Sequence, residues 1–224
     1  AGDGVITEPH NLSPSALQVV EGPRKIRNSC SYQNGEVELQ DASSQAVADL
    51  VPLKQGETLL DFCAGAGGKV LAVAGRTAGA FFAHDVDQRR MKDLPARAAR
   101  AGAHIDRVSP EEIEQYQGFD TVLVDAPCSG SGSWRRDPQG KWLLTLEKLD
   151  HVQNLQTEIL DRAATLVKPQ GHLVYATCSL LDCENERQVE EFLIRNSGFS
   201  TILEQHFTPL SGSDGFYCSV LRRD

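Results

Sequence analysis

Short apolar runs alternate with longer amphipathic segments along most of this chain. The apolar runs predict strands at 58–62, 80–84, 104–108, 121–124, 172–176, 200–203 and 216–221. The segments between them predict helices at 43–50, 69–75, 87–101, 147–167 and 182–195. This alternation favours an α/β fold with a mainly parallel seven-stranded sheet and helices on both faces. No helix separates the last two strands, so we expect a hairpin that makes the final strand antiparallel.

The first 40 residues differ in composition from the rest of the chain. They contain Pro9, Pro14 and Pro23 together with several Gly, Ser and Asn residues, which favour turns over regular elements. We therefore predict an irregular N-terminal arm over residues 1–40 and one folded catalytic domain over residues 41–224. A chain of 224 residues with 40% hydrophobic residues can form one such core, and we expect a monomer.

The apolar runs are too short to cross a membrane. Runs such as 70–74 fall far below the roughly 18 residues that a span needs, and residues 1–4 do not resemble a secretion signal. The six cysteines form no Cys-x-x-Cys pair and lie at positions 30, 63, 128, 178, 183 and 218. We therefore expect a cytoplasmic protein with reduced thiols and no bound metal.

The net charge of −9 argues against indiscriminate binding of polyanions, because such binding needs clustered cations. Basic residues do cluster locally, at 24–27, 89–107 and 135–141. The first group could contact a polyanion or belong to an arm that wraps its own domain. The second group fits a polyanion site and an ordinary solvated helix face equally well. The third group follows a cysteine motif directly. The candidates for gripping phosphates are therefore Arg135, Arg136 and Lys141.

Two cysteines each follow a predicted strand. Cys128 lies in Asp-Ala-Pro-Cys-Ser-Gly at 125–130, and Cys178 lies in Tyr-Ala-Thr-Cys-Ser at 175–179. If the two strands are parallel neighbours, both thiols emerge at the carboxyl edge of the sheet, where open α/β folds build their sites. A single cysteine after a strand is usually a small buried hydrophobe, but two such thiols indicate a nucleophile and a partner with a different task.

A glycine-rich turn follows the first strand of the predicted sheet. Residues 61–69 read Asp-Phe-Cys-Ala-Gly-Ala-Gly-Gly-Lys, and glycines between a strand and a helix let a ligand approach the backbone. The spacing is neither the Walker pattern nor Gly-x-Gly-x-x-Gly. Asp85 ends the second strand, where a carboxylate would accept hydrogen bonds from a ribose diol. Together these features indicate a site for an adenosine-containing ligand.

Several motifs occur in the order seen in one family. They are residues 40–45, 61–69, 125–132, 135–142, 177–179, 184–186 and 214–217. Together they resemble the Sun/NSUN-type RNA cytosine-5 methyltransferases, above all the bacterial Sun/Fmu-type enzymes that act on ribosomal RNA. The resemblance implies a class I methyltransferase (Rossmann-like) fold, for which an antiparallel last strand is typical. It also implies S-adenosylmethionine as the cofactor and RNA, first of all ribosomal RNA, as the partner.

The resemblance implies roles for individual residues. Cys178 would be the thiolate that adds to carbon 6 of cytosine, and Cys128 would serve the release of the product. Asp125 would act as a general acid at ring nitrogen 3, and Lys69 would favour a neighbouring thiolate. The residues assigned to the cofactor are Cys63, Ala64, Gly65, Ala66, Gly67, Gly68, Lys69, Asp85, Arg90, Asp106 and Asp125. Those assigned to RNA are Arg135, Arg136 and Lys141.

Three other functions fit the same residues. A transfer-RNA substrate would leave the catalytic residues unchanged, whereas a DNA cytosine-5 methyltransferase would use Cys128 as its nucleophile. A noncatalytic RNA- or cofactor-binding module would bind its ligand without either thiol. Many relatives carry an additional N-terminal RNA-binding domain, and we expect this chain to lack one.

The chain departs from the family pattern at two places. Residues 106–110 read Asp-Arg-Val-Ser-Pro where a Gly-Asp-like end of the third strand is usual, so Asp106 would have to contact the adenine. Gly65 and Ala66 replace the usual Ala-Pro, which makes the turn less rigid. Trp134 or Trp142 would stack on a base or pack under the loop, and for Trp142 we expect packing.

Overall fold

The computed structural model describes residues 3–116 and 118–224. The described strands are β1 (Ile6–Pro9), β2 (Leu17–Glu21), β3 (Thr58–Asp61), β4 (Ala80–His84), β5 (Ile105–Val108), β6 (Phe119–Asp125), β7 (Val167–Thr177), β8 (Phe199–Phe207) and β9 (Phe216–Arg223). The described α-helices are α1 (Cys30–Gln33), α2 (Ala42–Asp49), α3 (Gly68–Ala74), α4 (Leu94–Arg100), α5 (Pro138–Leu143), α6 (Leu146–Thr165) and α7 (Glu186–Arg195). None of these helices has the length and apolar character to cross a membrane.

Strands β3 to β9 form one sheet in the order β5-β4-β3-β6-β7-β9-β8. The five strands from β5 to β7 in this order pair in parallel. β9 runs antiparallel to both of its neighbours, β7 and β8. The predicted parallel sheet with an antiparallel last strand is confirmed. The last strand lies inside the sheet, because the chain first forms the edge strand β8 and then returns to pair with β7.

The sheet has an apolar core on each face, because successive residues of a strand point to opposite sides. Leu59 and Leu123 pack on the face covered by α2, α3 and α4. Leu60 and Val122 pack on the other face, against α6 and α7. Strands buried on both faces read as continuous apolar runs, which is why the sequence located them well.

The N-terminal arm is more regular than its composition predicts. β1 and β2 pair antiparallel, and a 3₁₀ helix at Pro23–Asn28 precedes α1. The prolines do not interrupt these elements, because Pro9 is the last residue of β1 and Pro23 begins the 3₁₀ helix. The division of the chain at residue 40 stays a prediction.

The arm packs against the end of α4. The Arg100 guanidinium lies 4.3 Å from the centre of the Tyr32 ring, and Glu38 pairs with both Arg97 and Arg100. A Cβ at Gly35 would lie 1.8 Å from the Arg100 carbonyl oxygen, so the arm backbone touches the helix end. Arg97 and Arg100, two cations of the 89–107 group, are thus neutralised by a carboxylate of the arm.

Two predicted helices are shorter than their patterns. The segment 87–101 divides into a 3₁₀ helix at Gln88–Met91 and α4, which begins just before Pro95. The segment 182–195 divides at Asn185, whose φ of −114° and ψ of −103° are not helical. α5 begins two residues after Arg136, within the third basic group. The sequence did not predict this helix, because its six residues are too few to show a helical period of apolar residues.

The loop after β6 crosses the start of β9 at Gly132. The Gly132 N–H donates to the Cys178 carbonyl at 2.9 Å, and the Gly215 N–H donates to the Gly132 carbonyl at 2.9 Å. A Cβ at position 132 would lie 2.1 Å from the Gly215 oxygen and 3.0 Å from the Cys178 oxygen. Only glycine lets the three backbone segments meet here.

Gly132→Ala should therefore lower the free energy of unfolding by about 1–3 kcal/mol, because the added methyl group forces backbone apart. Urea denaturation followed by circular dichroism measures the change. Gly198→Ala is the control, since a Cβ there meets nothing within 4 Å. Equal denaturation midpoints for the two variants would contradict this account of the crossing.

Candidate active site

The two thiols meet at the carboxyl edge of the sheet. β6 and β7 pair in parallel with Asp125 opposite Ala176, so the loops that follow begin side by side. The Cys128 Sγ lies 3.3 Å from the Cys178 Sγ. The predicted meeting of the two thiols is confirmed, although their separate roles do not follow from the distance.

The surroundings distinguish the two thiols. The hydrogen bond from the Cys128 thiol lowers the pKa of Cys178 and outweighs burial and the negative charge of Asp125, which both raise it, while the positive charge of Lys69 lowers it to a smaller extent. The same hydrogen bond, together with burial, raises the pKa of Cys128. Burial also raises the pKa of the remaining shifted thiols, Cys63, Cys183 and Cys218. Cys178 is therefore the thiol best suited to be a thiolate nucleophile, with Cys128 protonated beside it.

Lys69 is a buried cation at the first turn of α3. Its Nζ lies 2.6 Å from an Asp125 carboxylate oxygen and 4.8 Å from the centre of the Phe216 ring. The Lys69 side chain is 6% exposed, whereas Asp125 is 34% exposed. The ammonium group is satisfied by a carboxylate and an aromatic face, and Asp125 keeps an accessible side for a ligand.

A cavity of about 370 Å³ joins the glycine turn to the thiols. Its lining comprises Gln40, Ser44, Asp61, Cys63, Ala64, Gly65, Ala66, Gly68, Lys69, Arg90, Asp125, Ala126, Pro127, Cys128, Cys178 and Phe216. This volume falls in the range of small-molecule and cofactor sites. A larger cleft of about 950 Å³ lies between the arm and the helices α2 and α3, but neither thiol lines it.

The turn between β3 and α3 needs two of its glycines. Gly65 and Gly67 have φ angles of 53° and 78°, in the region that favours glycine. A Cβ at Gly67 would also lie 2.3 Å from a Leu94 methyl carbon. The Gly65 N–H donates to the Asp85 carboxylate at 2.9 Å, which fixes the turn against β4.

Asp85 stabilises the glycine turn from the side away from the cavity. It is 2% exposed, and it accepts hydrogen bonds from the Gly65 and Asp87 amides while Arg90 lies 3.1 Å away. Arg90 lines the cavity, and Asp85 does not. Asp106, on β5, does not line it either, and its exposed carboxylate lies 3.1 Å from the ring nitrogen of His104, which precedes that strand.

Asp61 is a site residue to which the sequence assigned no role. It ends β3, lines the cavity and is 1% exposed, and its Oδ1 has no hydrogen-bond partner. Burial raises the pKa of Asp61 to about 7, and the negative charge of Asp125 adds to this effect, while Lys69 opposes it. A carboxyl group of this kind can hold a proton near neutral pH. Its only signal in the sequence is its place at a strand end before the glycines.

Glu184 joins the two cysteine loops and was also missed. It is fully buried and accepts hydrogen bonds from the Ser129 N–H at 2.7 Å, from the Ser129 and Ser179 hydroxyls and from the Gln156 amide. Ser129 follows Cys128 in sequence, and Ser179 follows Cys178. One carboxylate thus sets the spacing of both thiols. The sequence showed Glu184 only as part of a family motif at 184–186.

The predicted RNA contacts lie on the loop and helix after Cys128. Arg136 is hydrogen-bonded to the buried Asp214, and Arg135 lies 3.6 Å from the same carboxylate. Lys141 lies 5.8 Å from the centre of the Trp142 ring. The expectation that Trp142 packs under the loop is wrong, because its side chain is 81% exposed. Trp134 is the tryptophan that packs, with its Nε1 buried.

The free energy of unfolding of the wild type should decline between about pH 4 and pH 7, and Asp61→Asn should make this decline smaller. The folded state keeps the Asp61 proton up to a pKa of about 7, whereas the unfolded chain loses it near 3.9, so rising pH favours unfolding. At pH 7 and above this difference amounts to about 4 kcal/mol. Urea denaturation of wild type and variant from pH 4 to pH 8 measures it.

Asp106→Asn removes an exposed carboxylate and is the control for the pH series. Its stability should follow the wild-type pH dependence. Parallel curves for wild type and Asp61→Asn would contradict the raised pKa of Asp61.

Glu184→Gln should raise the apparent pKa of Cys178 and lower the free energy of unfolding by about 2 kcal/mol. A neutral amide accepts the Ser129 and Ser179 hydrogen bonds more weakly, so Cys128 no longer lies in place to donate to Cys178. The rate of iodoacetamide reaction at Cys178, followed against pH by mass spectrometry, measures the pKa. Glu190→Gln, an exposed change on α7, is the control. An unchanged alkylation profile in Glu184→Gln would contradict the role of Glu184 in positioning the two thiols.

The described residues contain no group of three or more His, Cys, Asp or Glu side chains that could hold a metal ion. All six cysteines are free thiols.

Comparisons with known proteins agree with the geometry. Ribosomal RNA small subunit methyltransferase B of Photorhabdus laumondii is 36% identical over 98% of this chain, and its Vibrio vulnificus namesake is 35% identical over 95%. The chain spans about half the length of these relatives, 54% and 53% respectively.

Solved structures share the fold. The crystal structure of PH0851 matches 99% of this chain and 55% of its own, with a TM-score of 0.89 and 30% identity. NSun6 from Pyrococcus horikoshii, solved with SFG, matches 93% of this chain and 60% of its own, with a TM-score of 0.78 and 23% identity. The family model for 16S rRNA methyltransferase RsmB/F matches residues 48–221, so this chain belongs to the RsmB/F family.

Proposed function

We propose that this chain transfers a methyl group from S-adenosylmethionine to carbon 5 of a cytosine in RNA, with ribosomal RNA as the first substrate to test. The observation that carries this proposal is the pair of thiols 3.3 Å apart, with the pKa of Cys178 lowered and that of Cys128 raised. Family membership supports the reaction class and the RNA substrate.

The residues of the cavity fit an adenosine-containing sulfonium cofactor. The glycine turn offers close backbone approach, and Arg90, Asp61 and Asp125 bring charged groups to the same space. The unpartnered Oδ1 of Asp61 is a buried acceptor that a bound ligand would satisfy. When bound, S-adenosylmethionine supplies an electrophilic methyl group. Asp85 would act indirectly by holding Gly65, and Asp106 has no part in this proposal.

Cys178 begins the reaction. Carbon 5 of cytosine is a poor nucleophile, and addition of the Cys178 thiolate to carbon 6 makes carbon 5 electron-rich. Asp125, exposed toward the cavity and held by Lys69, would act as a general acid that delivers a proton to ring nitrogen 3 as charge develops there, and Lys69 would stabilise the carboxylate that remains.

Cys128 completes the reaction. Once carbon 5 carries its new methyl group, it must lose its proton so that the bond between carbon 6 and the Cys178 sulfur can break. Cys128 lies beside Cys178 and, after losing its own proton to solvent, would take the proton from carbon 5 as a thiolate. The electrons of that C–H bond then form the double bond between carbons 5 and 6, and the C–S bond breaks with its electron pair leaving on the Cys178 sulfur as thiolate. The two thiols thus divide addition and release between them.

The contrast between the thiols separates this proposal from a DNA-type enzyme. In a DNA cytosine-5 methyltransferase the cysteine after proline attacks, and here that residue is Cys128, whose pKa is raised. A transfer-RNA substrate would use the same residues. The RNA substrate leads us to place the protein in the cytoplasm.

Cys128→Ala should accumulate a covalent protein–RNA complex because release fails, although addition should be slower once the hydrogen bond that lowers the pKa of Cys178 is lost. Cys178→Ala should form no complex and no product. The measurement incubates each variant with labelled S-adenosylmethionine and unmodified ribosomal RNA, followed by denaturing gels. Cys30→Ala, which changes an exposed thiol of the arm, is the control and should turn over normally. Methylation of RNA by the Cys178→Ala variant would contradict the assignment of Cys178 as the nucleophile.

A further inference from the structure

We propose that Trp142, with Leu143 and Leu146, forms a stacking surface for an unpaired base of the RNA that flanks the target cytosine. This inference rests on the proposed function and adds a contact beyond the three basic residues. We call these three residues the Trp142 surface.

The Trp142 surface is unusually apolar for a solvent-facing helix. The side chains of Trp142, Leu146 and Leu143 are 81%, 80% and 52% exposed. They lie on α5 and the first residue of α6, separated by a short linker. A large indole left in water is costly, and a flat aromatic face is what unstacked bases bind.

Positive charge surrounds this surface. The Lys141 Nζ lies 5.8 Å from the centre of the Trp142 ring, and the Lys148 Nζ donates to the Leu143 carbonyl at 2.8 Å. Residues 134–148 carry four cations, Arg135, Arg136, Lys141 and Lys148, and two carboxylates, Asp137 and Glu147. Arg135 and Arg136 face the Asp214 carboxylate, so Lys141 and Lys148 are the cations beside the exposed indole. Lysines next to an unstacked aromatic face favour a single-stranded polyanion as the occupant.

The thiols and the Trp142 surface belong to one connected unit. Gly132 donates to the Cys178 carbonyl, and Arg136 is hydrogen-bonded to Asp214, so the loop after Cys128 is fixed at two points. α5 then packs on this loop, since a Cβ at Gly140 would lie 3.3 Å from a Trp134 ring carbon.

Chain length limits the separation of the two sites. Six residues from Gly132 to Pro138 span at most roughly 21 Å, and the four helical steps to Trp142 add roughly 6 Å. A base bound at Trp142 is therefore within a few nucleotides of a cytosine at Cys178. This argues for the RNA substrate itself as the occupant, and against a separate protein partner.

Tryptophan fluorescence tests the proposal directly, because the chain has two tryptophans and the indole nitrogen of Trp134 is buried. The probes are a single-stranded oligoribonucleotide that contains one cytosine and the same sequence in a perfect duplex. The single strand should quench the emission of Trp142, and the duplex should quench it less. Trp142→Phe, which leaves Trp134 as the emitter, should show little quenching.

Methylation of the same single strand provides the second readout. Trp142→Ala should lower kcat/KM about tenfold, mainly through KM, and Trp142→Phe should restore most of it, because phenylalanine also stacks. Ile194→Ala, a change of another exposed apolar residue on α7, is the control and should match wild type.

The outcomes separate this inference from the proposed function. If the wild type methylates the RNA without quenching, or if Trp142→Ala matches wild type in both readouts, the stacking surface is refuted and the reaction stands. If the single strand quenches Trp142 and neither it nor unmodified ribosomal RNA is methylated, the surface stands and the reaction falls. If sedimentation shows a wild-type dimer that Trp142→Ala converts to a monomer, with no effect on RNA binding, a second copy occupies the surface and the inference is wrong.

Discussion

The parallel pairing of β6 with β7 is the constraint on which the site depends. With Asp125 opposite Ala176, the loops carrying Cys128 and Cys178 start at one edge of the sheet. The sheet alone would leave both loops free to diverge. Glu184 prevents this by accepting hydrogen bonds from residues beside each thiol, which couples a sheet register to the spacing of two sulfur atoms. A buried carboxylate is stable here because several donors satisfy it at once.

The charges of the site are close together because neighbouring strands end at the same edge of the sheet. Asp61 and Asp125 end neighbouring strands, β3 and β6, and Lys69 lies in the first turn of α3, the helix between β3 and β4. One cation faces two carboxyl groups, and it pairs with Asp125. Asp61 is left buried and unpaired at Oδ1, with its pKa raised. At Cys178 the positive charge of Lys69 opposes the larger effect of the Asp125 charge, so the lowered pKa of this thiol comes mainly from the Cys128 hydrogen bond.

The sequence predicted the parts of the fold that have a strong local signal. Buried strands read as apolar runs, and the two cysteines that follow them could be placed at one edge by topology alone. The arm hairpin, α5 and the role of Glu184 could not be predicted, because each depends on contacts between distant segments. Asp85 illustrates the limit: its position at a strand end was right, but its carboxylate is taken by Gly65 and Arg90. Which of two tryptophans is exposed likewise depends on how the loop folds.

An acidic protein can still bind a polyanion if its cations are arranged locally. In this chain many basic side chains are already used, as Arg97 and Arg100 are by Glu38 and Arg89 is by Asp87. Lys141 beside Trp142 is different, because it faces an aromatic ring in place of a carboxylate. Local arrangement rather than net charge therefore determines where RNA would approach, and the general excess of negative charge would repel RNA from the other faces. The acidic surface and the small cationic area would thus act together to orient the substrate toward the thiols.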